Sequence, residues 1–427
     1  MLDSTFNDLH QKFQCLPNDD WAFFGTRSTN RWTHGYHRYP AKFLPQLVQK
    51  IIETYAKPNW IIADVFAGCG TTLVESKVHG FKSIGVDINP VAQLITKAKI
   101  NPLNPDELLQ EFALLSTQIK QYNQSTRYFG GNYHERIDYW FREEEKNKIS
   151  YLYNVVLECE NESYRNFFLC ALSNILKNCS RWLQSSTKPQ IDPSKKIADP
   201  FKSFRRQVLL MIKKNEEYYK ELVAKNCLFS ECEILLADAR KTTLENESVN
   251  MIITSPPYVT SYEYADIHQL TGYWYSYISD IIAFRKNFIG TFYSNKKNQT
   301  SLSPTARTII ASLEEKDIKL SLEVANYFND MNDVAIEMQR ILCPDGIACL
   351  VIGNTRMREV NIKSAEVFTE QLVNLNFEIV EVIKRKIPHK LMPTIRDKQT
   401  GKFTKLSNKN SQMVYPDEFV IVVRKSK

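Results

Sequence analysis

Residues 61–90 constrain the fold more than any other stretch of the chain. Ile61 to Phe66 is a short apolar strand, and Ala67-Gly68-Cys69-Gly70-Thr71-Thr72 is a tight turn. Leu73 to His79 then reads as a helix closed by Gly80, and Ser83 to Val86 as a second strand ending at Asp87, with Pro90 opening the next helix. Strand, helix, strand and helix in direct succession predict a parallel sheet with helices on its faces. The expected fold class is therefore α/β, with a doubly wound, mostly parallel sheet.

The pattern on either side extends this core. Leu44, Leu47, Val48, Ile51, Ile52 and Tyr55 recur at helical spacing, which predicts a core-facing helix from Pro45 to Tyr55. From Pro102 to Ser230 the alternation stops and the pattern is helical, so this region reads as an insertion interrupting the sheet. Within it, Tyr151 to Leu183 and Arg206 to Ala224 are predicted helical, with a polar loop from Gln184 to Pro200. Strands resume at Glu233 to Ala237 and Val249 to Thr254. Tyr258 to Leu320 is a long aromatic and polar stretch. A helix from Val324 to Leu342 follows, ended by Cys343-Pro344-Asp345-Gly346, then a strand from Ile347 to Ile352 and a helix from Ser364 to Leu375. The last strands are Phe377 to Ile387 and Phe419 to Arg424, joined by a basic loop. The 427 residues are expected to divide into a lead-in (1–33), the first part of the sheet domain (34–101), the helical insertion (102–230) and the second part of the sheet domain (231–427).

Charge and cysteine usage narrow the partners. Arg181 to Ser230 holds eleven Lys and Arg against five Asp and Glu, and Ile383 to Ser411 nine against one. Such stretches suit a polyanion. The nine cysteines include no C-x-x-C pair, which argues against a zinc ribbon and a disulfide framework. No apolar run is long enough to span a bilayer, and the first residues carry no secretory pattern. A cytoplasmic, nucleoid-associated prokaryotic protein without a membrane partner is expected.

The glycine turn separates three ligand classes. A phosphate-binding loop needs Lys followed by Ser or Thr after its last glycine, and Thr71-Thr72 stands there instead. A dinucleotide fingerprint needs a third glycine where Leu73 stands. S-adenosylmethionine needs only a glycine bend and acidic partners. Asp64 is expected to meet its ammonium directly or through water, Asp87 the ribose hydroxyls, and Asp238 the adenine amine. Beyond these lies Thr254-Ser255-Pro256-Pro257-Tyr258, where two prolines stop a strand and present a hydroxyl, open carbonyls and an aromatic ring at its carboxyl end.

Asp64-Val65-Phe66-Ala67-Gly68-Cys69-Gly70, Gly85-Val86-Asp87-Ile88-Asn89-Pro90 and Thr254 to Tyr258 together resemble the amino-group (N4-cytosine or N6-adenine) DNA methyltransferases, in particular the branch carrying Ser-Pro-Pro-Tyr. His37-Arg38-Tyr39-Pro40-Ala41-Lys42-Phe43 resembles the segment that closes the cofactor pocket in that family. The likeness spans residues 34–100 and 233–355 and implies the Rossmann-like S-adenosylmethionine-dependent methyltransferase fold. It further implies that Tyr39, Lys42, Phe43, Phe66, Ala67, Gly68, Gly70, Thr71, Ile88 and Ala239 join the three carboxylates around S-adenosylmethionine, with no metal.

The same resemblance assigns Ser255, Pro256, Pro257 and Tyr258 to catalysis on a base flipped from double-stranded DNA. Ser255 Oγ and the Pro256 carbonyl would accept the amine's hydrogens, and Tyr258 would stack on the base. Ser at the first motif position favours N4 of cytosine. N6 of adenine, an RNA amine and a non-catalytic nucleic-acid-binding role are the alternatives. Tyr262, Glu263, Tyr264, Asp266, His268 and the segment Gly353-Asn354-Thr355 are candidates for the base pocket. DNA contacts are expected from Tyr262, Arg181, Arg205, Arg206, Lys384, Arg385 and Lys386. A cognate restriction endonuclease or defence partner is the expected protein context. Asp238 and Ser255 are only seventeen positions apart, so no recognition domain fits between them, and target recognition is expected from the insertion with its basic stretch from Arg181 and from the loop containing Lys384 to Lys390.

Overall fold

The structure, a computed structural model, describes residues 8–23, 29–40, 42–130, 133–186, 188–259, 264–289, 302–386, 395–397, 404, 407–413 and 418–427. Seven strands form its main sheet: β1 (Ile61–Asp64), β2 (Lys82–Asp87), β3 (Cys232–Leu236), β4 (Val249–Thr254), β5 (Leu342–Gly353), β6 (Phe377–Arg385) and β7 (Glu418–Lys425). Their order is β3-β2-β1-β4-β5-β7-β6. The pairs β3/β2, β2/β1, β1/β4 and β4/β5 are parallel, and β7 runs antiparallel to both neighbours. The chain builds outward from β1 to β3, then returns to place β4 on the other side of β1. That reversal is the position where doubly wound sheets open a crevice at their strand ends.

Successive residues of the central strands point to opposite faces, and both faces are covered, so the strands read as near-continuous apolar runs, broken in β4 only by Asn250. Met251, Ile253, Ile347, Cys349, Val351, Val420 and Val422 pack under α1 (Pro45–Tyr55), which contributes Leu47, Val48, Ile51 and Ile52. The alternate residues Ile252, Ala348, Leu350, Ile352, Phe419, Ile421 and Val423 pack on the opposite face. After β1 comes α2 (Thr71–Val78) and after β2 comes α3 (Pro90–Ile100), which has Pro90 in its first turn and Asn89 Oδ1 accepting from Val91 N at 3.0 Å.

The insertion supplies α4 (Pro105–Ile119), α5 (Arg136–Trp140), α6 (Glu143–Leu157), α7 (Glu162–Leu176) and α8 (Pro200–Ala224). These helices share one apolar core with Val91, Leu94, Ile95 and Ala98 of α3 and with Leu270, Tyr273 and Trp274 from beyond the Pro-Pro-Tyr turn. The second half adds α9 (Tyr264–Ile267), α10 (Gln269–Trp274), α11 (Ile281–Lys286), α12 (Pro304–Glu314), α13 (Ile318–Ile341) and α14 (Ser364–Asn374). Among the described residues no helix is long and apolar enough to cross a membrane.

Most predicted elements stand within a few residues of their observed ends, with four differences. The helix predicted from Tyr151 to Leu183 is two, α6 and α7, because Asn161 starts a new helix by accepting from Ser163 N at 2.8 Å, and residues 177–183 lie beyond α7. Helix α8 starts at Pro200 rather than Arg206, because Asp199 caps it by accepting from Lys202 N at 2.9 Å. Helix α13 starts at Ile318, capped by Asp317. Cys343 to Gly346, predicted as a helix end, lies inside β5, where the register with β4 shifts between Val249 and Met251.

The turn after β1 depends on Gly70, at φ +74°. A Cβ there would stand 2.7 Å from Thr96 Cγ2 on α3. Gly70→Ala is expected to destabilise the protein by about 1–3 kcal/mol in urea unfolding. Adding Thr96→Ala should relieve only the contacts with Cγ2 and Oγ1, since its Cβ would still lie 3.1 Å away and its hydrogen bond to Gly68 O is lost.

Candidate active site

The carboxyl ends of β1 and β4 lie side by side, and one buried carboxylate joins them. Asp64, 2% exposed, accepts from Thr254 Oγ1 at 2.6 Å and Phe66 N at 3.0 Å through Oδ1, and from Thr72 Oγ1 at 2.6 Å through Oδ2. Burial pushes its pKa up to about 6, against the opposing effect of these three donors. The direct ammonium contact expected for Asp64 is closed off. Its exposed area is nearly nil, and three of its acceptor sites hold the glycine turn to the Pro-Pro-Tyr strand.

The glycine turn is held from the next strand and helix. Gly68 N donates to Asp87 Oδ2 at 2.8 Å, and Asn89 N donates to Asp87 Oδ1 at 2.8 Å. Burial pushes Asp87 up to about 6 as well, yet it stays part-exposed with acceptor capacity to spare. On α3, Thr96 Oγ1 donates to Gly68 O at 3.1 Å and Lys99 Nζ to Cys69 O at 2.6 Å. Ala67 and Thr71 are buried in the turn, while Phe66 and Ile88 are half-buried at its edges.

Tyr39 lies across this turn, its ring 3.5 Å from the point where a Gly68 side chain would begin. The His268 ring is 4.9 Å from it, centroid to centroid, and the Tyr264 ring 6.4 Å. Since Asn89 Oδ1 accepts from Val91 N, its Nδ2 faces His268 Nδ1 at 2.9 Å. Nδ1 is thus the acceptor, which assigns the proton of the neutral ring to Nε2. Burial lowers the His268 pKa to about 4, so the ring is neutral near pH 7. Its Nε2 is a buried donor with no hydrogen-bond partner among the described residues.

Two further carboxylate and ammonium expectations are corrected. Asp238 is clasped by its neighbour. Arg240 Nε lies 2.9 and 3.1 Å from the two carboxylate oxygens, Arg240 Nη2 2.6 Å from Oδ2, and Arg240 N 2.9 Å from Oδ1. The other side of the guanidinium reaches Asp330 Oδ1 at 2.9 Å, so Asp238 is half of a fixed bidentate pair, not an open acceptor. Lys42 Nζ donates to Thr29 O at 2.9 Å, Asn30 Oδ1 at 2.6 Å and His34 O at 3.3 Å, using all three hydrogens on its own loop. Burial, helped by the charge of Lys99, lowers its pKa to about 8. That loop docks on α2 through buried Glu75, which meets Arg31 Nη2 at 2.6 Å and His34 Nε2 at 2.7 Å. Phe43 packs beside the α1 core, and Ala239 is buried on the opposite face.

At the Pro-Pro-Tyr turn, Ser255 Oγ donates to Val351 O at 3.0 Å. With its one hydrogen turned back toward β5, the hydroxyl keeps two lone pairs as acceptors. Pro256 is buried; Pro257 and Tyr258 are half-buried. The Tyr258 hydroxyl donates to Glu418 Oε1 at 2.7 Å. Asn354 is turned away, bonded through Nδ2 to Glu366 Oε2 at 2.7 Å and through Oδ1 to Ala365 N at 2.9 Å.

The expected DNA contacts separate. Arg205 and Arg206 are exposed on α8, and Lys386 is exposed with Nζ 3.8 Å from Asp19 Oδ1. Arg181 is half-buried in the loop after α7, and Lys384 Nζ is 5.9 Å from the Phe419 ring centroid. Arg385 is not a surface cation: it is 4% exposed, ion-paired with Glu418, and donates from Nε to Trp21 O at 2.9 Å. Tyr262 and Glu263 lie outside the described residues. Thr72, Thr96, Lys99 and Glu418 escaped the sequence reading. For Thr96 and Lys99 the available signal was two polar residues, three apart, on the same helix face as apolar Val91, Ala92 and Ile95.

A glycine turn and a Ser-Pro-Pro-Tyr turn are thus joined at the switch point of a doubly wound α/β sheet. The DNA methylase family model (N6_N4_Mtase) matches residues 7–98 and 249–427, and the chain belongs to that family of amino-group DNA methylases. The unmatched stretch contains the insertion and β3. The chain is 26% identical to the Type II methyltransferase M.MvaI of Kocuria varians, over 92% of this chain and 93% of that one. It is 23% identical to the Type II methyltransferase M.MjaII of Methanocaldococcus jannaschii, over 79% and 76%.

The raised pKa of Asp64 has a stability consequence. The unfolded carboxyl ionises near 3.8 and the folded one near 6, so the folded state holds the extra proton between these values. The contribution is complete below pH 3.8 and is lost as pH rises through 6, by about 3 kcal/mol. The unfolding free energy of the wild type minus that of Asp64→Asn is therefore expected to fall between pH 4 and pH 7. A difference that stays flat or rises would contradict this assignment.

Proposed function

We propose that the protein methylates the exocyclic amine of a base in double-stranded DNA, N4 of cytosine, as the modification half of a restriction or defence system. The observation that carries this reading is the orientation of Ser255. An exocyclic amine is a poor nucleophile because its lone pair is delocalised into the ring. Residues that accept its hydrogens let the nitrogen rehybridise as it becomes bonded to carbon. Ser255 Oγ, its own hydrogen given to Val351 O, is such an acceptor. The Pro256 carbonyl is a second, and the fixed proline φ preorganises both. Tyr258 supplies the stacking surface that holds a flipped base in plane.

S-adenosylmethionine, when bound, supplies an electrophilic methyl group on a sulfonium. The residues present fit it. Tyr39 lies over Gly68 at van der Waals distance and supplies an aromatic side to the turn, Asp87 offers a carboxylate to a diol, and His268 Nε2 offers a buried donor to a ligand acceptor. Ile88 and Tyr264 flank the same turn. With Asp238 and Lys42 engaged elsewhere, the adenine end is read from backbone and apolar groups. Target recognition is assigned to exposed cations, with Arg205 and Arg206 on α8 and Lys386 beside β6 the first candidates. The Type II relatives support a restriction context, and the serine at the first motif position supports cytosine.

Purified protein is expected to transfer labelled methyl from S-adenosylmethionine to unmethylated duplex DNA, with N4-methylcytosine found on nuclease digestion. Ser255→Ala should lower kcat by about 100-fold or more while cofactor affinity changes less than about two-fold. N6-methyladenine as the product would correct the base. Transfer to RNA alone would overturn the reading.

A further inference from the structure

We infer that Glu418 and Arg385 are positioning residues that fix the ring of Tyr258, acting through its hydroxyl. The inference rests on the proposed role of Tyr258 as the surface on which the flipped base stacks. A tyrosine at a turn can swing about two side-chain bonds, and a stacking platform that swings cannot hold an amine in line with a methyl group. Here the far end of the ring is pinned. The Tyr258 hydroxyl donates to Glu418 Oε1 at 2.7 Å. Burial, then the charge of Glu418, keeps that phenol protonated far above its ordinary pKa, so it stays a donor.

Glu418 is itself held. It is 8% exposed, and its second oxygen is ion-paired with Arg385 Nη1, its cross-strand partner between β7 and β6. Arg385, 4% exposed, is fixed in turn by the bond from Nε to Trp21 O at 2.9 Å. The backbone of the Trp21 segment is anchored to the same strand, with Asn18 N donating to Lys384 O at 2.8 Å. On its other side Glu418 pairs with Gly353 of β5, two residues beyond the Val351 carbonyl that takes the Ser255 hydrogen. The acceptor and the stacking ring are thus tied to adjacent strands of one rigid sheet.

An ion pair that only joined β6 to β7 would need no tyrosine. A chain that fixes the ring makes a different demand: removing the phenol oxygen and removing the Glu418 charge should damage the same step. The test is a double-mutant cycle on the full-length protein with Tyr258→Phe, Glu418→Gln and both, read as single-turnover methyl transfer to duplex DNA. Each single variant is expected to lose about ten-fold in rate, with cofactor and DNA affinities within about two-fold of wild type. The double variant should lose no more than the worse single one. Additive losses, or a Tyr258→Phe rate equal to wild type, would overturn the inference. Should Glu418→Gln fail to fold, Tyr258→Phe decides alone, since it removes a single oxygen. If the wild type transfers no methyl to any DNA, the functional reading falls and this one falls with it. Wild-type transfer with additive variants sinks only the relay.

Discussion

A single buried carboxylate sets the relation between the two turns on which the site depends. Taking Asp64 out of water costs several kcal/mol if it stays charged, and three donors from three different segments offset part of that cost. Thr254 brings β4, Thr72 brings α2, and Phe66 N closes the turn on itself. Because each bond is short and the group is almost unexposed, none of the three segments can shift without stranding a polar atom. The glycine turn and the Pro-Pro-Tyr turn therefore share one frame, although 190 positions separate Asp64 from Thr254.

The antiparallel strand explains why the Pro-Pro-Tyr turn is braced as it is. Parallel strands deliver only their carboxyl ends to the crevice edge. An antiparallel strand inserted among them begins at that edge, so β7 delivers its first residue, Glu418, where β5 and β6 end at Gly353 and Arg385. A carboxylate, its guanidinium partner and the Val351 carbonyl are thereby gathered beside Ser255 and Tyr258 by topology alone. Ser255 donates its hydrogen into this cluster and Tyr258 does the same. Both side chains are left with acceptor or stacking surface facing the other way.

Much of this was legible in the sequence, and the failures share a cause. Helix α1 was bounded correctly because Pro45 and the apolar spacing are local signals, and β4 because the prolines end it. The charged residues were harder, since a carboxylate or ammonium near a pocket looks the same whether open or paired. Asp238 was read as open although Arg240, two residues on, is the partner that closes it. Lys42 was read as facing a ligand when its own loop carbonyls surround it. Arg385 was counted with the basic run, yet strand alternation puts it on the same face as Ile383, which is buried in the core under α1. That signal was present and outweighed by the charge count. The Glu418–Tyr258 contact spans 160 positions and had no local signal at all.

The insertion also reads differently once its packing is known. A recognition domain hung on a linker would carry its own core, whereas these helices share theirs with α3, whose Thr96 and Lys99 hold the glycine turn. Ser173 of α7 bonds His37 Nε2 at 2.9 Å on one side and Thr271 Oγ1 at 2.7 Å on the other, joining the segment before the cofactor turn to the helix after the Pro-Pro-Tyr turn. Tyr275 donates to Leu169 O at 2.8 Å and adds to that seam. The inner face of the insertion is thus tied both to the segment before the glycine turn and to the helix after the Pro-Pro-Tyr turn. The outer face is not held in this way, and there α8 presents Lys202, Arg205, Arg206 and Lys213 to solvent.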